Sequence, residues 1–237
     1  MIEIKDIIKN YSKLTALDGV SFDIHDNECF ALLGLNGAGK TTLINILSTQ
    51  ILPTGGSATV NGLDVVKDCE SVRKIINISP QESAVGKNLT VRENLDFIAS
   101  LYGIQNKTEK IDGIIEKFAL ADKANVLCKK LSGGQLRRVS IALAMITEPE
   151  VIFLDEPTLG LDIKSRKVLW DIIAELKQNH TVLLTTHYLE EVEFLADRIG
   201  IISRGKLKAL GTREEVLSVT GSDTLEGAFL SLAEEEQ

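Results

Sequence analysis

Residues Gly34 to Thr42 read Gly-Leu-Asn-Gly-Ala-Gly-Lys-Thr-Thr, and no other stretch constrains the chain as strongly. Gly34, Gly39, Lys40 and Thr41 fill the pattern G-x-x-x-x-G-K-[ST], between an apolar run, Cys29 to Leu33, and a helical pattern, Leu43 to Ser48. The order is therefore strand, glycine loop, helix. Glycines let successive backbone N–H groups turn inward without a Cβ in the way, and the helix aims its positive N-terminus at the same spot. Such a loop suits a polyphosphate: Lys40 would reach the β and γ phosphates, Thr41 would hold Mg2+, and Leu35, Asn36, Gly37, Ala38 and Thr42 complete the cradle.

A phosphate loop needs a metal partner, and Val151-Ile152-Phe153-Leu154-Asp155-Glu156 supplies one. Four apolar residues bury the strand and two carboxylates emerge at its end. Asp155 would hold Mg2+ through water, while Glu156 would orient or deprotonate an attacking water.

The formal net charge of -8 argues against a protein that mainly grips nucleic acid or anionic lipid, although a local basic spot such as Arg137-Arg138 stays open. With 44% hydrophobic and 25% charged residues, the chain reads as an ordinary soluble globular protein. Cys29, Cys69 and Cys128 are far apart and form no C-x-x-C or Cys/His cluster, so neither a zinc site nor a disulfide framework is expected. No signal peptide is expected at the start, and no segment approaches the ~18 apolar residues of a membrane-spanning helix.

Along the chain, residues 2–8 and 20–24 read as antiparallel strands with a turn at Asp18-Gly19 between them. Strands are also expected at Ser57 to Val60 and at Ile75 to Ser79, the second closed by Pro80. From Thr90 to about Thr147 the pattern is helical: a capping box at Thr90 and Glu93 starts one helix, a second covers 108–119, and Ser132 caps a third. Alternation resumes with strands at Val151 to Leu154 and Thr181 to Thr185 around a helix over 163–178, then a hairpin about Arg204-Gly205. The acidic end, Glu234-Glu235-Glu236, is expected to fray.

Leu131-Ser132-Gly133-Gly134-Gln135 places a serine cap and two glycines at a helix start, a second anion site with a hydroxyl and free N–H groups pointing outward. Here the chain resembles the ATP-binding domain of ABC transporters, whose signature this pentapeptide is. The resemblance covers most of the chain and implies an α/β P-loop NTPase fold: a RecA-like core with an N-terminal antiparallel β-subdomain and an α-helical subdomain inserted at about 84–148. The ATP-binding domain would cover 1–212 and a helical tail 213–237. It also implies that Tyr11 stacks on adenine, that Gln81 contacts Mg2+ and links core to helical block, that His187 touches the γ-phosphate, and that Asp162, in Gly160-Leu161-Asp162, lies in a loop crossing a dimer interface. Leu159, Ile163 and Leu136 depart from residues usual in the family.

On this resemblance the chain is expected to be the ATP-hydrolysing motor subunit of a transporter, an ATP-dependent homodimer in which each ATP lies between one copy's phosphate loop and the other's signature. A separate integral-membrane permease would carry the substrate, with the motor cytoplasmic on the inner face of the cell membrane and no nucleic-acid partner. Pro80-Gln81-Glu82, Thr90 to Leu95, Leu101-Tyr102-Gly103, Leu189-Glu190-Glu191 and the tail Thr224 to Leu232 are similar to the ABC-2 type exporter branch. The alternatives are an importer motor and a soluble ABC ATPase acting on ribosomes or DNA. A P-loop small-molecule kinase gives no reason for Leu131 to Gln135.

Overall fold

The computed structural model describes residues 1–82 and 84–234. Strands β1 (Ile2–Tyr11) and β2 (Leu14–Ile24) open the chain as an antiparallel hairpin. The turn expected at Asp18-Gly19 is not there: the chain reverses at Ser12-Lys13, and Asp18-Gly19 is a bulge inside β2. Ile7 pairs with Val20 and Lys9 with Leu17, so two residues of β2 oppose one of β1. A bulge and a tight turn use the same Asp-Gly chemistry, which is why local sequence does not separate them.

Strand β3 (Cys29–Leu33), the glycine loop and α1 (Lys40–Leu47) follow, then β4 (Gly55–Val60) and β5 (Leu63–Asp64). The first sheet has the order β2-β1-β4-β5. Next comes α2 (Cys69–Ile75), where no helix was expected, leading into β6 (Ile76–Ser79). This helix buries only Val72, so it carries no apolar stripe to betray it.

Between β6 and β7 (Val151–Asp155) lie α3 (Val91–Leu101), α4 (Lys107–Lys117) and α5 (Gly133–Met145). The capping box of α3 is made on both sides: Glu93 N–H donates to Thr90 Oγ1 at 3.1 Å and Thr90 N–H to Glu93 Oε2 at 2.7 Å. After β7 come α6 (Ile163–Leu176), β8 (Thr181–Thr186) and α7 (Leu189–Leu195). The hairpin of β9 (Arg198–Ser203) and β10 (Lys206–Gly211) follows, and α8 (Arg213–Thr220) and α9 (Leu225–Glu234) end the described chain.

The second sheet has the order β10-β9-β3-β8-β7-β6, with β9, β3, β8, β7 and β6 parallel. Its central strands are buried from end to end because both faces are covered. Alternate residues serve two different cores. Phe30, Leu32, Val151, Phe153 and Leu183 pack with α1 and the first sheet. Ala31, Leu33, Ile152, Leu154, Val182 and Leu184 pack with the helical segment, α6 and α7. Leu225 and Phe229 of α9 are buried in that second core, with Leu232 against it.

Among the described residues, no helix is long and apolar enough to cross a membrane. Of the acidic end expected to fray, Glu234 is the last residue of α9, and Glu235 and Glu236 lie outside the described residues.

Phe153 is fully buried between the sheet and the first core. Phe153→Ala is expected to cost about 3–5 kcal/mol of unfolding free energy, read from the midpoint of a urea titration at unchanged slope.

Candidate active site

The glycine loop starts where β3 ends, and Gly34 N–H donates to Thr186 O at 3.2 Å, which sets the loop against the end of β8. Gly39 has φ +108, and a Cβ there would lie 2.6 Å from Ala16 O and 2.8 Å from Leu17 Cδ2. No other residue fits both the conformation and the space. Lys40 is 5% exposed at the start of α1. Its Nζ donates to Gly34 O at 2.6 Å and Leu35 O at 3.2 Å, and pairs with Glu156 Oε1 at 3.1 Å. A cavity of about 640 Å³ opens over the loop, walled by residues 36–42 together with Tyr11, Gln81, Glu156 and Leu159.

Strand register brings the acids to this loop. Asp155 lies beside Thr185 of β8, and the Thr185 hydroxyl donates to Asp155 Oδ1 at 2.5 Å. Thr41 Oγ1 donates to the other oxygen, Oδ2, at 2.9 Å. Glu156 N–H donates to both Thr185 O and Thr185 Oγ1 at 3.1 Å, so a single threonine holds both acidic residues. Glu156 takes φ +47, a left-handed conformation that costs a non-glycine residue about 1 kcal/mol or more. Its second oxygen, Oε2, is 2.8 Å from His187 Nδ1. The buried carboxylate thus faces a lysine on one side and a histidine on the other.

Arg137, open to a surface role in the sequence, is instead 5% exposed. Its guanidinium donates to Asp155 O at 2.7 Å, Pro157 O at 2.9 Å and Pro80 O, with a longer contact of 3.5 Å to Gln81 O. Burial lowers its pKa to about 10, opposed by the nearby Asp155, Glu191 and Glu156 carboxylates, so it stays charged at neutral pH. Arg138 is also engaged, donating to Phe118 O at 3.0 Å and Ala119 O at 2.7 Å. Neither side chain forms a basic surface spot.

Leu131 to Gln135 and Asp162 do not line the cavity of their own chain. Ser132 caps α5 with its hydroxyl turned to the helix: Oγ accepts from Gln135 N–H at 3.3 Å, and Gln135 Oε1 accepts from Ser132 N–H at 3.0 Å. The helix cap expected at Ser132 is thus present, and an accepting Oγ keeps its own O–H free to donate. Gly133 is open to space, whereas a Cβ on Gly134 would lie 2.5 Å from Ser165 Oγ of α6. Asp162 caps α6 through Ser165 N–H at 3.0 Å and Ser165 Oγ at 2.7 Å, and these bonds lower its pKa.

Sequence reading missed Thr185, since a threonine inside an apolar strand looks like ordinary strand composition. Glu191, read only as part of the run Leu189-Glu190-Glu191, is wholly buried on α7, where its Oε1 accepts from Trp170 Nε1–H at 3.2 Å. Burial pushes the Glu191 pKa up, with the Thr186 and Thr158 hydroxyls beside it. Trp170 stacks on Phe194 with ring centroids 5.3 Å apart. A charged residue four positions beyond His187 carries no local signal that it is interior.

Residues 17–159 match the family model described as ABC transporter. The daunorubicin resistance ATP-binding protein DrrA3 of Streptomyces coeruleorubidus is 41% identical over 221 residues, covering 92% of this chain and 70% of that protein. The linearmycin resistance ATP-binding protein LnrL of Bacillus subtilis is 39% identical over 228 residues, 95% of this chain and 73% of that protein. Among solved structures, a dimeric ATP-binding cassette in a post-hydrolysis state with ADP and Pi superposes with a TM-score of 0.80 at 25% identity, over 90% of this chain and 98% of the other.

Thr185→Val removes the donor to buried Asp155 and one acceptor for Glu156 N–H. A loss of about 1–3 kcal/mol in chemical denaturation is expected, with Thr185→Ser close to wild type.

Proposed function

This chain belongs to the ABC transporter family as an ATP-binding subunit, and from that premise we propose how its residues divide the work of an ATP-driven exporter motor. The relatives that confer resistance to daunorubicin and linearmycin favour export over import, and favour transport over a soluble role on ribosomes or DNA. The observation that carries the site assignment is the convergence of two motifs 114 residues apart: Thr41 on Asp155, and Lys40 with His187 on Glu156.

In this reading the polyphosphate of ATP lies along 34–42. Lys40 exchanges part of its contacts with Gly34 O, Leu35 O and Glu156 for phosphate oxygens. Tyr11, 44% exposed on the cavity wall, offers its ring face to the adenine. Thr41 Oγ1 and Asp155 Oδ2 are hard oxygen donors 2.9 Å apart, and Gln81 faces the same cavity, a donor set that fits Mg2+. When bound, the ion would neutralise phosphate charge. Thr185 holds the other Asp155 oxygen, which fixes the orientation of the carboxylate.

Glu156 accepts the proton of the attacking water. Its backbone is pinned by Thr185 and its carboxylate is oriented by His187, so little reorganisation is needed. The same strand end therefore fixes both the metal-facing and the water-facing acid.

The second half of each site comes from another copy. Ser132, Gly133, Gly134 and Gln135 stand at the N-terminus of α5, which favours an anion, yet their own chain's cavity does not include them. A dimer that places them over the partner's ATP, with Asp162 at the interface, uses both features. ATP then favours the closed dimer because that state alone contacts the γ-phosphate from two sides. We place the dimer on the cytoplasmic face of the membrane, bound to a separate permease subunit.

Glu156→Gln is expected to bind ATP and dimerise while steady-state phosphate release falls about 100-fold or more, the scale of a lost catalytic base. Normal turnover in this variant would refute the role given to Glu156. Lys40→Ala is expected to weaken ATP binding by about tenfold or more in a fluorescence titration, as a charged hydrogen bond to phosphate is lost.

A further inference from the structure

Arg137 has no part in the division of labour just described, yet it touches more of the site's backbone than any residue that does. It stands on α5, five residues after Ser132. Its guanidinium reaches Pro80 and Gln81 on one side and Asp155 and Pro157 on the other. All four acceptors are main-chain carbonyls, so it senses where the backbone runs and not which side chains are present.

A guanidinium is a costly way to fill this space, even with the Asp155, Glu156 and Glu191 carboxylates near it. Desolvating a guanidinium is costly, and an apolar side chain of similar volume could fill the space. What the guanidinium adds is a planar fork of donors with fixed angles, able to hold two chain segments at once. A second tie lies one turn along the same helix, where Ser140 Oγ is 3.1 Å from Ser79 Oγ of β6. Helix α5 is thus fastened to the strand before Gln81 and to the strand ending in Asp155. At its other end Gly134 packs without clearance on Ser165, the residue capped by Asp162.

We propose that Arg137 is a positioning residue that couples the two ATP sites of the dimer. The front of α5 faces the partner's nucleotide, and Arg137 ties that same helix to Gln81, Asp155 and the loop after Glu156 in its own site. A helix is stiff over the roughly 8 Å between Ser132 and Arg137. A shift of the cap toward the partner's phosphate therefore moves the guanidinium and the carbonyls it holds. Engagement at one site is transmitted to the acids and to Gln81 of the other. This inference rests on the dimeric reading given above.

The test uses Arg137→Lys and Arg137→Met in two backgrounds. With Glu156→Gln present to block turnover, binding of a fluorescent ATP analogue and ATP-driven dimerisation by light scattering are measured separately. Without it, kcat and KM are measured. Arg137 makes no hydrogen bond to residues 34–42, so analogue affinity is expected to stay within about threefold, while half-maximal dimerisation needs about tenfold more protein and kcat falls about tenfold with KM little changed. Lysine keeps the charge but not the fork, so it should behave like methionine. If methionine fails to fold, lysine carries the test alone. Dimerisation and kcat within about twofold of the parent, or full rescue by lysine, overturn the proposal. A parent chain that neither binds ATP nor dimerises would instead remove the functional reading itself, and the unsubstituted control shows that first.

Discussion

Four charged side chains, Lys40, Arg137, Asp155 and Glu156, are buried together at the edge of the parallel sheet, each no more than 6% exposed. Burying charge is tolerable only when every charge is answered. Here Lys40 answers Glu156, loop carbonyls take the rest of Lys40, Thr185 and Thr41 occupy Asp155, and four main-chain carbonyls take Arg137. The register of β7 on β8 places Asp155 beside Thr185, and the pairing of β8 with β3 sets the glycine loop next to both. The sheet is therefore more than support: a shift of one residue in either pairing would strand several buried charges at once.

The two helix caps show how an element can be structural in one chain and functional in two. Ser132 and Asp162 each satisfy the first amides of their own helices, α5 and α6. Both stand apart from their own cavity, and Gly134 joins the two helix starts by close packing. Such a joined surface acts as one body. In the proposed dimer it meets the partner's nucleotide as a unit, which suits a motor whose work is a change in how two copies sit together.

Much of this was legible in the sequence where the relevant residues are neighbours in the chain. The runs 29–33, 151–154 and 181–185 stand out because a strand covered on both faces must be apolar throughout. Lys40, Thr41, Asp155 and Glu156 are legible because loop and strand end are linear motifs. Tyr11, Gln81, His187 and Asp162 gain meaning only through the resemblance, for each is a common residue in a common place. Thr185 and Arg137 were not legible: their partners lie 30 and up to 57 residues away, and nothing local distinguishes them from a strand threonine or a surface arginine. The Asp18-Gly19 bulge failed differently, since its chemistry was read correctly and its geometry was not.

Trp170 is the chain's single tryptophan, and it sits on α6 with its indole N–H on Glu191 and its ring against Phe194, both of α7. Helix α6 begins at Asp162 and α7 follows His187, so this contact spans the segment between the acidic loop and the histidine. The tryptophan fluorescence of the protein thus comes from one place, the seam between α6 and α7. Excited at wavelengths the three tyrosines do not absorb, an unlabelled sample reports on that seam, an optical gauge supplied by the amino-acid sequence itself.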